Sequence, residues 1–294
     1  MSIAWSRRAT VKRSLASVAL FALALGLILA GPAYARPTSV VSLGADLNNA
    51  QRQQMFDLFG VSEDDVSVLE VTNKEEREYL EGIVSTEQIG TRAISSVFVR
   101  IKDDGSGIAV ETSNITYITE QTYANALVTA GIADADVFAA APFPVSGTAA
   151  LTGVFKAFEE ATGEDIPQEA KEAATDELVT TAEVGDEVGD PAAVAELIKQ
   201  AKEEIVRLGL DDEESVREVL VRISAELNIK LSDEQLDRLT EILMQIQKLD
   251  LDFESLQKQL EDFQTTIGAA GEQVKGFWES IRSFFADLWG SIFG

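Results

Sequence analysis

Two stretches of this 294-residue chain carry residue choices that neither helical nor strand periodicity requires. One is Ile89-Gly90-Thr91-Arg92-Ala93-Ile94-Ser95-Ser96. The other is Ala141-Pro142-Phe143-Pro144-Val145-Ser146-Gly147-Thr148-Ala149-Ala150-Leu151-Thr152-Gly153. The second stretch joins an apolar run to a helical pattern through a glycine-containing turn. Such a turn aims backbone N–H groups and the positive end of a helix dipole outward, and Ser146 and Thr148 add hydroxyl groups, which is the chemistry of an anion site. Arg92, Asn125, Ser146, Gly147 and Thr148 are therefore the candidate ligand-binding residues. The bland alternative is that Ser146 caps the helix and a small residue beside it allows close packing, since the glycine spacing and lysine of a phosphate loop are missing.

Catalytic pairs are harder to assemble. Glu75-Glu76 and Asp103-Asp104 are adjacent rather than convergent, and neighbours on a helix or turn aim their carboxylates apart. Strand alternation puts Ser96 and Lys102 on one face, but about six residues apart is too far for proton transfer. The chain has 0 His and 0 Cys, which removes imidazole and thiolate chemistry, disulfides and the usual zinc ligands. No catalytic residue, metal or cofactor is assigned, and the reading leans away from an enzyme.

The elements that must position these stretches are legible from pattern. A helix is expected around Asn48 to Phe59, then a strand from Val66 to Val71, then a helix opened by the capping box Thr72-x-x-Glu75. Ala93 to Lys102 and Ile108 to Ile118 read as two paired strands around the turn Asp103-Asp104-Gly105-Ser106-Gly107. Thr119 caps a helix that stops at Gly131, Asp136 to Ala141 is a short buried strand, and Ser146 caps a helix to Phe158. Strand, helix, strand, strand, helix, strand is the split βαβ order of ferredoxin-like folds, with a three-layer α/β arrangement as the alternative. The expected class is α+β: a βαββαβ domain with flanking helices, an acidic all-helical region, and a C-terminal amphipathic helix.

The boundaries are a signal peptide over 1–35, the α/β domain over 36–160, a partly helical linker over 161–190, a helical bundle over 191–268 and an aromatic tail over 269–294. The linker is Glu-, Ala- and Gly-rich, and either proline of the 141–153 stretch can take the cis form. Three helices are expected beyond it, at Pro191 to Leu208, Glu214 to Leu227, and Ser232 to about Lys248. Leu236, Leu239, Leu243 and Ile246 continue into Leu249, Phe253, Leu256, Leu260, Phe263 and Ile267, with a register shift near Leu249, and are read as bundle core rather than as a coiled coil.

Both ends of the chain speak to location. Arg7, Arg8, Lys12 and Arg13 precede an apolar run from Leu15 to Ala30 and an Ala33-Tyr34-Ala35 cleavage site, the layout of an export signal; the general secretory route is favoured over a twin-arginine route. The tail carries Phe277, Trp278, Ile281, Phe284, Phe285, Leu288, Trp289, Ile292 and Phe293 on one helical face, a stripe that must be covered by a lipid surface, an envelope protein or another copy of the chain. The net charge of -26 makes nucleic acid an unlikely ligand and is read as a solvated acidic surface.

The two stretches, together with Tyr123-Ala124-Asn125-Ala126-Leu127-Val128-Thr129-Ala130-Gly131, resemble the YpuA-like secreted proteins of Gram-positive bacteria, a family catalogued as a domain of unknown function. The resemblance covers roughly Val40 to Leu231. It implies export, and many such proteins come from spore-forming species; it implies no catalytic residue, cofactor or ligand. The expected protein is an exported, non-enzymatic interaction protein at the outer face of the cytoplasmic membrane or outside the cell, held to a membrane or envelope surface by its tail. One alternative is a secreted hydrolase or small-ligand-binding enzyme with its site at the 89–96 and 141–153 loops. The other is a soluble oligomer with the tail between protomers.

Overall fold

The structure is a computed structural model that describes residues 38–80 and 89–249; the export segment and the aromatic tail lie outside the described residues. In chain order the elements are β1 (Ser39–Gly44), α1 (Asn49–Phe59), β2 (Ser67–Val71), α2 (Asn73–Leu80), β3 (Ser96–Ile101), β4 (Ala109–Ile115), α3 (Glu120–Thr129), β5 (Ala135–Val145), α4 (Thr148–Thr162), α5 (Gln168–Val188), α6 (Pro191–Leu208), α7 (Glu213–Glu226) and α8 (Asp233–Gln247). The result is a mixed α+β fold around one five-stranded sheet of order β2-β1-β3-β5-β4.

The sheet departs from the ferredoxin-like expectation in two ways. A further strand, β1, precedes the expected ones, and β3 and β4 are not a hairpin pair, because β5 lies between them. β5 runs antiparallel to β3 and parallel to β4, with α3 as the crossover, while β1 and β2 form a second parallel pair through α1. Burial explains the choice. Val137 to Ala141 is an unbroken apolar run with Ala139, Ala140 and Ala141 fully buried, which suits a central strand covered on both faces. β4 is only half-buried along most of its length and takes an edge.

Alternate residues of the central strands serve different layers. Val40, Val97, Val99, Val137 and Ala139 face α3, α4 and the first half of α5. Val41, Leu43, Phe138 and Ala140 face α1, whose Phe59 sits 6.2 Å from the Phe98 ring and 5.4 Å from the Phe138 ring. α4 crosses close to the sheet at Gly153, where an added Cβ would meet a Val97 methyl at 3.2 Å.

Helix starts are set locally. Asn48 with Gln51 and Ser232 with Gln235 form reciprocal capping boxes. The Thr119 hydroxyl accepts from Thr122 N at 3.0 Å, and Gly131 closes the end of α3 with φ 78°. In the Thr72 box, Glu75 N donates to Thr72 Oγ1 at 3.2 Å while Thr72 N and its hydroxyl donate to Glu75 Oε2 at 2.8 and 2.7 Å.

Lys156 on α4 donates to the other oxygen of Glu75 at 2.6 Å. Partial burial alone raises the Glu75 pKa, but these hydrogen bonds outweigh it and leave the group lowered from 4.5. A carboxylate with a depressed folded pKa stabilises the fold above its unfolded value and loses that contribution as pH falls through the folded one. Glu75→Gln should thus be less stable than the parent near neutral pH, and the gap should close on acidification below 4.5; chemical denaturation across that range checks it.

Residues 161–190, expected as a partly helical linker, hold the 21-residue α5, and its inner face is buried. Ala170, Ala174, Leu178, Val179 and Ala182 complete the sheet-side core, and Val184 begins the core shared with α6, α7 and α8. Alanines at short spacing let this helix pack closely, so a composition that looks linker-like is an interior helix instead. Leu236, Leu239, Leu243 and Ile246 are buried in the helical core. Among the described residues all peptide bonds are trans, Pro142 and Pro144 included.

Candidate functional site

The 89–96 loop is pinned from three directions. Arg77 of α2 donates through its guanidinium to Gly90 O and to Asn73 Oδ1, the latter at 3.0 Å. Asp46, just past β1, accepts from Ala93 N at 2.8 Å and donates from its own backbone N to Ala93 O at 3.1 Å. Gly44 N donates to Ser96 Oγ at 3.2 Å. Gly44 is required here, since a Cβ on it would stand 2.4 Å from Ala93 O and 2.7 Å from Ala93 C.

The 141–149 loop is held from the opposite side. Thr116 donates from N and Oγ1 to Val145 O at 2.9 and 3.0 Å, and Asn114 Nδ2 donates to Ala141 O at 2.8 Å. Gly147, not Ser146, is the N-cap of α4; it adopts φ 100°, and no side chain caps this terminus. The expected Ser146 cap is corrected for a physical reason: the chain must turn through a left-handed conformation at Gly147, which moves the helix start one residue on. A Cβ at Gly147 would also lie 2.5 Å from an Ile115 methyl and 2.8 Å from the Tyr123 hydroxyl. That hydroxyl donates to Gly147 O, and burial, reinforced by the charge of Glu76, raises the phenol far above its ordinary pKa, so it remains a donor.

Between the two loops lies a cavity of about 280 Å³. Thr91, Arg92 and Ser95 line it from one loop, Ser146 and Gly147 from the other, and Glu76 of α2 from the side. Ile94, Phe143 and Val145 supply apolar wall. Glu76 is only 1 % exposed and accepts from Asn73 Nδ2 at 3.2 Å. The Glu75-Glu76 pair does diverge: Glu75 serves the cap and Lys156, while Glu76 faces the cavity. Arg92 and Thr91 stand exposed at the rim.

The structure brings Arg92, Ser146 and Gly147 together around this cavity, with Thr148 opening the adjoining helix. It does not bring Asn125 there. Asn125 is 2 % exposed and donates to Ala195 O at 2.9 Å, tying α3 to α6. Sequence reasoning missed Glu76 in the lining and Arg77 as the residue that pins the 89–96 loop, while Ser95 lay within that stretch without being singled out. Glu76 was weighed only as a member of a local pair, and its convergence with Ser95 on one cavity depends on contacts across the sheet. Ser96 opens β3 and Lys102 lies just past its far end, where it pairs with Asp136 at 3.1 Å.

A second polar cluster, which the sequence did not announce, lies inside the helical layer. Lys202 on α6 donates to Glu177 Oε1 at 2.7 Å, to Asn125 O at 2.7 Å and to Thr129 Oγ1 at 2.9 Å. The Thr129 hydroxyl donates in turn to the other Glu177 oxygen. All three ammonium protons are used, so this cluster joins α3, α5 and α6 without an open position for a ligand. Among the described residues no group of three or more carboxylates is placed to hold a metal ion, and no helix is long and apolar enough to cross a membrane.

Sheet, loops and cavity define an α+β protein with a small polar pocket at the ends of its central strands. The chain belongs to the family described as "Protein of unknown function (DUF1002)", which matches residues 43–263. It is 41 % identical over 256 residues to the "Uncharacterized protein YpuA" of Bacillus subtilis (strain 168), covering 86 % of this chain and 88 % of that one. No solved structure matches the chain.

Proposed function

We propose that this is an exported binding protein whose body presents a small-ligand pocket and whose tail associates with a lipid or envelope surface. The observation that carries the pocket reading is the convergence, across the sheet, of the two stretches whose composition periodicity leaves unexplained, with charged and hydroxyl groups facing one cavity. Binding rather than turnover is the reading preferred, because the chain contains no histidine or cysteine and the Glu75-Glu76 carboxylates diverge. A library of small polar metabolites screened by thermal unfolding tests it. Compounds should raise the Tm of the parent protein but not of Thr91→Trp, where an indole at the rim blocks entry. Hits that act equally on both proteins would place binding elsewhere.

Export and tail association rest on residue pattern. After cleavage at Ala35, Trp278 and Trp289 are the remaining tryptophans, so fluorescence reports on the tail alone. Nine large apolar side chains, at about 1 kcal/mol each for partial burial, outweigh repulsion by anionic lipid of about 1 kcal/mol per unmatched charge. Emission should shift to the blue on adding neutral vesicles and stay shifted in high salt. Blue emission without lipid, unchanged by vesicles, would instead assign the tail to a protein contact.

A further inference from the structure

We propose that Glu120 and Lys156 are edge guards: each occupies an outward-facing backbone group on one open edge of the sheet, and together they keep the sheet from adding a strand of a second copy of this chain. The proposal is independent of the pocket.

β4 and β2 end the sheet, and no described strand lies beyond either. An edge strand presents a row of backbone N–H and C=O groups without strand partners, which is a template for pairing with another chain. Successive residues of a strand point these groups alternately toward and away from the neighbouring strand.

On β4, Thr112 N faces away from β5, because it donates to a carboxylate oxygen of Glu120 at 3.1 Å. The backbone groups of Val110, two residues earlier, therefore face outward as well. Past Ser113 the pairing register shifts, and Asn114 takes φ 59° while its side chain donates to Ala141 O at 2.8 Å. That irregularity ends the usable edge. The open stretch is confined to Val110 and Thr112, and Glu120 takes the Thr112 donor. Glu120 is placed there by the fold, since it opens α3, whose start is fixed by the Thr119 cap.

The far edge is guarded with the opposite polarity. Val71 O faces inward, where it accepts from Ala45 N at 2.8 Å, so Glu70 O one residue earlier faces outward. Lys156 of α4 donates to it at 2.5 Å. An acceptor thus covers a donor on β4, and a donor covers an acceptor on β2.

The occupant that fits an unguarded β4 is β4 of a second copy, because identical edges are self-complementary about a two-fold axis. Net charge alone does not keep copies apart at physiological salt, where exposed charges more than about 8 Å apart are screened. Lys156 also holds Glu75 at 2.6 Å, so Glu120 is the cleaner probe.

The test is sedimentation equilibrium of the purified full chain at physiological salt, comparing the parent with three variants. Glu120→Gln keeps an acceptor oxygen for Thr112 and should associate no more than the parent. Glu120→Ala frees the donor and should self-associate at least about tenfold more tightly, the worth of one backbone hydrogen bond. Adding Val110→Pro to Glu120→Ala removes the neighbouring outward N–H and should return association to the parent level. In Glu120→Ala, amide exchange at Val110 and Thr112 should slow as protein concentration rises. Its Tm should stay near that of the parent, because Glu120 is exposed and the Thr119 cap remains. Parent-level association of Glu120→Ala would overturn the inference, as would association equal in Glu120→Gln or association that leaves those two amides exchanging as before. Association accompanied by loss of the cooperative unfolding transition would come from unfolded chains and would overturn it too. The exchange measurement decides the matter by itself if the proline variant does not fold.

Discussion

Replacing Lys202 with alanine should remove about 3–5 kcal/mol of unfolding free energy, the usual cost of taking one partner from a buried ion pair. Glu177 is 0 % exposed, so without Lys202 its carboxylate keeps only the Thr129 hydroxyl, and Asn125 O loses its side-chain donor as well. Burial pulls the Lys202 pKa down and the charge of Glu177 pushes back, which shows the pair to be a compromise rather than a bonus. Removing both charges should therefore hurt less than removing one. The double variant Lys202→Met, Glu177→Leu should recover most of the loss, because apolar side chains of similar size replace a pair whose desolvation was costly. Urea unfolding of the parent, the single variant and the double variant checks this; a single variant within about 1 kcal/mol of the parent would mean that the pair is open to water.

Gly44→Ala should be nearly as damaging, and for a different reason. Its new methyl group would overlap Ala93 O, Ala93 C and Ile94 C, all backbone atoms that cannot rotate away. Overpacking costs about 1–3 kcal/mol, and displacing the loop also strains the Asp46 and Ser96 hydrogen bonds that pin it, so a loss of about 3 kcal/mol is expected. Because the same loop forms one wall of the cavity, ligand binding should fall with stability. Gly153→Ala is the comparison: its contact at 3.2 Å is with a side-chain methyl that can shift, and its cost should stay within about 1 kcal/mol.

Features encoded within a few residues were legible from sequence. Thr72, Thr119 and Ser232 cap the helices they were expected to open, and Pro191–Leu208 is helical over the expected span. Pairing across the sheet was not legible in the same way. The turn at residues 103–107 suggested a β3–β4 hairpin, but the more apolar β5 takes the central place, and nothing local to either strand shows that competition. Side chains followed the same division. Arg92 and Ser146 were singled out because their stretches lacked a periodic explanation, and both line the cavity. Asn125 was misread because its partner, Ala195, lies 70 residues away on another helix. Glu76 was passed over because its neighbour, Glu75, made the pair look like surface charge, whereas helix geometry sends one to the cap and the other into the cavity.

The cavity between the two loops is the proposed binding site of the folded body. A crystallographic fragment screen of the folded protein puts this to the test most directly. The expected result is fragments gathered beside Ser95, Arg92 and Gly147, with polar atoms within hydrogen-bond distance of the Ser95 hydroxyl or the Arg92 guanidinium. Fragments that collect elsewhere on the protein and leave this cavity empty at every concentration would contradict it.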